Sequence, residues 1–421
     1  MSAAVATPRL LHLSLVAGSA LRDRAGERLG RVDDLIVRLE DGGGYPPISG
    51  LLASVAGRQT YVPADLIEDI TTRGVTLRVP KLDLRPFERR PDEVLLRKDV
   101  LDRQLINVDG ARLVRANEIE LARVAGWWRV VGVDTGPRGA LRRLLPKPLA
   151  PKLATAGFLD WASIEPFVGH VPSVRLSVPH PKLARLHPAQ LADLVEAASH
   201  AEGEEIIDAV KGDFELEADV FEELDDHHQR EFVAERSDED LAAVLARMAP
   251  DDAADLVAEL PDERRDGVLG LVHERQRAKI RALLGYDPAT AGGLMSTEFL
   301  CLYQQSTVEE ARRRLADAGN DLTAAIFLMD SHKELTGTVP LARFFGADED
   351  TTLIELAITT PSLHPDADFE EVARLMADYN LLMAPVNDER GHMIGVITVD
   401  DVLEVMLPKG WRRHFGLLGD E

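Results

Sequence analysis

Hydrophobic and polar positions change period several times along this chain. Over residues 9–90 the period is two. Leu29 to Leu39 alternates apolar and polar side chains, and Asp41-Gly42-Gly43-Gly44 closes the run as a turn, which predicts a strand. Ile48 to Val55, Gln59 to Pro63 and Val75 to Val79 predict further short strands. A second passage of the same kind follows Glu93: an apolar stretch, an Asp, a Gly, then alternation. The pattern thus occurs twice, at Arg22 to Val37 and at Leu105 to Leu121, with Trp128 to Thr135 as a closing strand.

The period then disappears. Residues 136–185 carry Pro137, Pro146, Pro148, Pro151, Pro166, Pro172, Pro179 and Pro181. Proline lacks the amide donor and biases its predecessor away from helix, so 146–185 is expected to be a linker, with Trp161 and Phe167 docking part of it on a neighbour. From Leu186 the period becomes helical in short units. Pro188-Ala189-Gln190-Leu191-Ala192-Asp193-Leu194-Val195 returns as Pro250-Asp251-Asp252-Ala253-Ala254-Asp255-Leu256-Val257, with related starts near Leu224, Ser237 and Leu260. Proline suits the first helical turn, and units apolar on one face would stack side by side as a superhelix over 186–290.

Residues 296–357 and 358–407 read as two copies of one strand–helix–strand–strand–helix unit. Thr307 to Leu315 matches Asp368 to Met376, Ala325 to Asp330 matches Ala384 to Asp388, and Leu335 to Val339 matches Met393 to Ile397. The first copy is degraded at its end, where Leu341-Ala342-Arg343 stands in place of Val399-Asp400-Asp401. The expected fold class is therefore multidomain α+β: a small β domain over 9–145, a linker, an acidic helical domain, a paired α/β module, and a tail from 408 to 421.

Charge sharpens this division. Residues 1–150 sum to +5 and the rest to −29, so the two parts suit different partners. The acidic part disfavours nucleic acid and suits divalent cations or a solvated helix surface. No run reaches the ~18–20 apolar residues that span a bilayer. Leu10 to Leu21 is short and interrupted by His12 and Gly18, so it reads as a strand and not a secretory signal. The single cysteine, Cys301, rules out an internal disulfide and fits a cytoplasmic setting. There is no P-loop, His-Glu-x-x-His, Cys-x-x-Cys or Gly-x-Ser-x-Gly motif, so a non-enzymatic role is expected.

The order of acidic helices, the junction Ala291-Gly292-Gly293-Leu294-Met295 and the paired repeats resembles the cytosolic half of the MgtE family of magnesium channels and transporters. The paired repeats resemble a tandem CBS, or Bateman, module. Residues 9–145 resemble the PRC-barrel, a small β-barrel of the photosynthetic reaction centre's H subunit and of a ribosome maturation factor; a generic small β domain is the alternative. The family continues into a membrane pore where this chain stops, so the expectation is a sensor without a pore, acting on a membrane transporter partner from the cytoplasm or the inner membrane face.

Magnesium prefers hard oxygen ligands and keeps several waters, so a site needs few carboxylates from converging elements. Asp251 and Asp255 are four apart, hence on one helix face, and Glu370, Asp400, Asp401 and Glu404 gather in the second repeat. Helix capping is the alternative for Asp251, Asp400 and Asp401. The MgtE resemblance implies Mg2+ ligands at Asp251, Asp255, Asp368, Glu370, Asp401, Glu404 and the Ala377 carbonyl. It also implies that Asn380 weakens one site, because the family commonly has an acid there. The basic, aromatic Trp411-Arg412-Arg413-His414-Phe415 departs from the family's acidic helix. The Bateman resemblance implies a homodimer through the CBS repeats, and one adenosine-nucleotide site at Thr398 and Asp400. Three functions follow: a magnesium-responsive regulator, a nucleotide-sensing CBS protein, or an RNA- or ribosome-associated factor led by the β domain. The net −29 counts against the third.

Overall fold

The computed structural model describes residues 10–39, 44–80, 87–90, 93–137, 157–167, 182–317 and 324–407. The tail Trp411 to Phe415 and most of the Pro-rich stretch lie outside them. Contacts divide the chain into two compact units, Met1–Leu216 and Glu217–Glu421.

The first unit begins with β1 (Leu11–His12), the one-turn helix α1 (Leu13–Val16), β2 (Ala20–Arg22), β3 (Arg28–Arg38), β4 (Ile48–Val55), β5 (Arg58–Pro63), β6 (Ile67–Thr71) and β7 (Gly74–Leu77). The second repeat runs through β8 (Glu93–Leu95), a wide helical turn Leu96–Val100, β9 (Gln104–Asn107), β10 (Arg112–Arg115), β11 (Glu118–Val124) and β12 (Trp127–Asp134). The largest sheet has the order β5-β4-β3-β2-β7-β6, with β8 also on β3; a second contains β1-β11-β12 and a third β10-β9. The apolar positions of the period-two runs explain the packing. Leu21, Val32, Leu35 and Leu51 from the first repeat and Leu105, Ile119, Leu121 and Val130 from the second share one buried cluster.

Two more strands come from the expected linker. β13 (Phe158–Asp160) pairs with β12 and β14 (Ile164–Pro166) with β9. Proline is tolerated at β14 because it ends that edge strand. Trp161, Ile164 and Phe167 are buried, which offsets the cost of ordering the segment.

Short helices follow as the pattern predicts: α2 (Pro188–Ala197), α3 (His200–Val210), α4 (Phe214–Glu223), α5 (Asp226–Glu235), α6 (Asp238–Leu245), α7 (Pro250–Glu259), α8 (Asp262–Leu271) and α9 (Glu274–Leu283). Their starts are chemically marked. Pro188 opens α2, Ser199 and Glu202 form a reciprocal capping box on α3, and Ser237 caps α6. Asp225 accepts the amides of His227 and His228 at the start of α5, so that acidic–histidine run includes a helix cap.

In the second unit the junction is the single turn α10 (Ala291–Leu294). It is packed, not loose. Ala291 N–H donates to Ala367 O and Gly292 N–H to Pro365 O, each at 2.8 Å. A Cβ on Gly293 would sit 2.4 Å from the Asp287 carbonyl oxygen, so only glycine fits this close approach. The first repeat has β15 (Cys301–Tyr303), α11 (Val308–Asp317), β16 (Ala325–Met329), β17 (Leu335–Pro340), α12 (Leu341–Phe344) and α13 (Leu353–Leu356). The second has α14 (Phe369–Tyr379), β18 (Met383–Asn387), β19 (Met393–Thr398) and α15 (Val399–Met406). The degraded sequence at Leu341 is structural: α12 is one turn, whereas its counterpart α15 runs eight residues. Phe327, Met383 and Val396 join the sheets of the two repeats in one apolar cluster. The molecule is thus mixed α+β, with N-terminal sheets, a helical domain and a CBS pair.

Candidate acidic ion site

Helix α7 carries Asp251, Asp252 and Asp255 on a segment whose other face buries Ala253, Ala254, Leu256 and Val257. Proline at its first position needs no amide partner, and the amide of Ala249 before it donates to Glu222 Oε1 at 2.6 Å. Glu222 lies at the end of α4, so α4 and α7 are tied end to end through a carboxylate. Facing them is the start of α15. There Asp401 Oδ2 accepts from Thr398 N–H at 2.8 Å and from Thr398 Oγ at 2.7 Å, a capping box. Glu404 follows three residues later, about one turn on.

These groups feel one another strongly. Burial pushes Asp252 up to about 9, with the carboxylates of Asp251, Glu222, Asp401 and Glu404 raising it further. Burial raises Glu222 to about 7 against the Ala249 amide, helped by Asp219, Asp251 and Glu223. Asp255 rises to about 6 through burial, then Asp226, Glu404 and Glu259. Asp401 rises to about 6 through burial; its Thr398 bonds oppose the shift, and Asp251 and Asp400 add to it. Asp251 is raised by burial, eased by its own backbone amide and the Ser296 hydroxyl, and raised again by Asp255 and Glu298. Asp251 Oδ1 is a buried oxygen without a hydrogen-bond partner in the structure. The largest influences on these five groups are burial, hydrogen bonds and neighbouring carboxylates. Such a cluster either keeps protons or binds a hard cation.

Of the residues singled out from sequence, Asp251, Asp255, Asp401 and Glu404 come together here. Four others lie along α14. Asp368 caps its start by accepting the Glu371 amide at 2.9 Å, and Glu370 pairs with Arg374. The Ala377 carbonyl accepts from Asn380 N–H, and Asn380 ends the helix in the left-handed region with φ 51°. Asp368 and Asn380 are therefore about 18 Å apart along the axis, too far to share one ion. Thr398 caps α15 and Asp400 is exposed beside it. Asp252 and Glu222 were not legible as site residues. Asp252 adjoins Asp251, a signal that the four-residue spacing passed over; Glu222 reaches the site only by tertiary packing.

Residues 186–289 match the family model described as the MgtE intracellular N domain, and residues 355–408 match that of the CBS domain. The magnesium transporter MgtE of Thermus thermophilus is 40% identical over 141 residues, covering 32% of this chain and 31% of the relative. That of Enterococcus faecalis is 31% identical over 147 residues, 34% of this chain and 32% of the relative. The chain thus spans about a third of the length of these curated relatives. Among solved structures, the cytosolic domain of the Mg2+ channel MgtE in complex with ATP is 31% identical with a TM-score of 0.50, over 53% of this chain and 92% of that one. The soluble part of a magnesium transporter is 26% identical with a TM-score of 0.50, over 53% and 89%. Among the described residues no helix is long and apolar enough to cross a membrane.

Proposed function

We propose that this chain, whose residues 186–289 and 355–408 match the MgtE intracellular N domain and the CBS domain, is a non-enzymatic, magnesium-responsive regulator. The observation that carries this is the carboxyl cluster of α4, α7 and α15, in which buried carboxylates raise one another's proton affinity. Magnesium would neutralise it with Asp251, Asp255, Asp401 and Glu404 as nearest oxygen donors, and Asp252 and Glu222 behind them. Bound ions would hold the helical domain against the second CBS repeat; without them the repulsion would loosen that contact. The reading extends to a cytoplasmic homodimer through the CBS repeats that passes this change to a membrane transporter. Titration calorimetry of the full chain with MgCl2 tests it. Heat of binding in the millimolar range that is lost in the Asp251→Asn/Asp255→Asn double variant is expected; unchanged binding in that variant removes these two ligands.

A nucleotide-sensing reading rests on a different observation. One of the related cytosolic domains is solved in complex with ATP, and Thr398 and Asp400, at the start of α15, are the candidate ribose contacts on this reading. Calorimetry with ATP and with AMP, repeated on Asp400→Ala, separates the two readings. Loss of nucleotide binding with magnesium binding intact supports the second.

A further inference from the structure

The repeated pattern of the N-terminal β region takes no part in the ion site, and its strands are joined crosswise. β1 opens the first repeat yet pairs with β11 of the second, Leu11 opposite Leu121 and His12 opposite Glu120. β8 opens the second repeat yet pairs with β3 of the first, Val94 opposite Val37 and Leu95 opposite Ile36. Side chains repeat the exchange. In β3, Asp34 accepts the amides of its neighbour Leu35 and of Arg97 and Lys98 in the turn after β8. In β11, Glu118 accepts the amides of its neighbour Ile119 and of Ser14 in the turn after β1, together with the Ser14 hydroxyl.

The exits from the two turns match as well. Gly18 N–H donates to Val32 O and Val32 N–H to Ser19 O, at 2.7 and 2.9 Å. Asp102 N–H donates to Ala116 O and Ala116 N–H to Arg103 O, at 2.8 and 3.0 Å. Gly18 and Asp102 both take positive φ, +76° and +66°.

We infer that the β region is two half-modules fused in one chain with their leading strands exchanged, and that the β11 edge accepts a β1 strand that a second copy of this chain can supply in trans. The two acceptor edges are not interchangeable. On β3 the position matching His12–Glu120 is apolar, Leu95 opposite Ile36 in one small cluster with Leu52, and the charged pair Arg38–Glu93 lies two positions along. On β11 the equivalent pair is polar: His12 Nδ1 lies 2.6 Å from Glu120 Oε2, and Glu120 is fully buried. Leu11 and Leu13 are buried while His12 and Ser14 meet the two glutamates, so a one-residue slip would set leucine against carboxylate. The strand that satisfies this slot has β1's own sequence, which is why the occupant in trans is a second copy. Between the donor segment and β2 lie only Ala17, Gly18 and Ser19, so exchange between copies reopens a single connection.

A cysteine trap in the full chain tests this. In a Cys301→Ser background, Leu11→Cys with Leu121→Cys places two thiols on directly paired positions. The variant is unfolded in reductant, refolded at increasing protein concentration and oxidised. A covalent dimer whose fraction rises several-fold with concentration, and whose linked peptides contain residues 11 and 121 of different copies, is expected. Purely intramolecular linkage at every concentration overturns supply in trans. A second measurement guards against a variant that fails to refold. The chain lacking residues 1–16 is followed by amide exchange with and without a synthetic peptide of residues 9–18. Crosswise pairing predicts that protection falls about tenfold or more at β11, that β3 and β4 keep theirs away from the lost segment, and that the peptide restores β11 whereas its His12→Ala form does not. Loss confined to the first half, or no rescue by the peptide, overturns the inference.

Discussion

At the scale of single residues, Asp252 has the most consequence for stability. Its carboxyl is pushed up to about 9 by burial and by Asp251, Glu222, Asp401 and Glu404. A raised acid binds its proton more tightly in the folded state than in the unfolded one. The stability it contributes is therefore complete below the unfolded value, about 4, and is lost as pH rises through about 9. Asp34, Asp255 and Asp401 are raised only to about 6 and Glu222 to about 7, so the loss between pH 7.5 and 9 belongs mainly to Asp252. Metal-free protein should melt at progressively lower temperature over that interval. Asp252→Asn, which keeps size and removes the charge, should flatten the decline and add on the order of 1–3 kcal/mol at pH 9, a rise of several degrees. Thermal scans in chelator at pH 6, 7.5 and 9 check this; an unchanged slope in the variant would assign the titration elsewhere.

At the scale of elements, capping and close packing make the local order testable. Thr398→Ala removes one of the two bonds that hold Asp401 over the start of α15 and should cost about 1 kcal/mol. Gly293→Ala would press a methyl onto the Asp287 carbonyl and should cost roughly 1–3 kcal/mol, read by denaturant midpoint. These positions also show what was legible in the sequence. The run Pro250-Asp251-Asp252 announced a helix start because proline and acids suit that end whatever surrounds them. The period of two announced strands for the same local reason. β13 and β14 were hidden because a Pro-rich stretch becomes strand only where the edges of β12 and β9 wait for it. The repeat of Arg22 to Val37 in Leu105 to Leu121 was visible, but not that β1 and β8 change places, since pairing between distant strands leaves no mark on either period. Asp368 and Asn380 stand at opposite ends of α14, so the ligands expected along that helix would serve different ions.

At the scale of the whole molecule, the question is whether charge on the helical domain and the second CBS repeat can set their contact. Two carboxylates about 5 Å apart repel by about 3 kcal/mol at an effective dielectric near 20. Moving a two-state equilibrium from one part in a hundred to ninety-nine takes about 5.5 kcal/mol. Two or three such repulsions relieved by one or two ions are therefore enough, and a single surface pair is not. The contact should be reported at the junction Ala291 to Met295, whose backbone is bonded to Pro365 and Ala367 near the start of the second repeat. Millimolar MgCl2 at pH 8 should slow proteolytic cleavage near that junction by about tenfold or more, and sodium at equal ionic strength should do less, because a monovalent ion relieves less of the repulsion between carboxylates. In the Asp251→Asn/Asp255→Asn variant the metal-free protein should already resist cleavage better than wild type, since repulsion is gone, and magnesium should add little. Protection that depends on magnesium in the variant as it does in the wild type would mean that ions act at another place, and the carboxylates of α7 would then be no more than a solvated helix face.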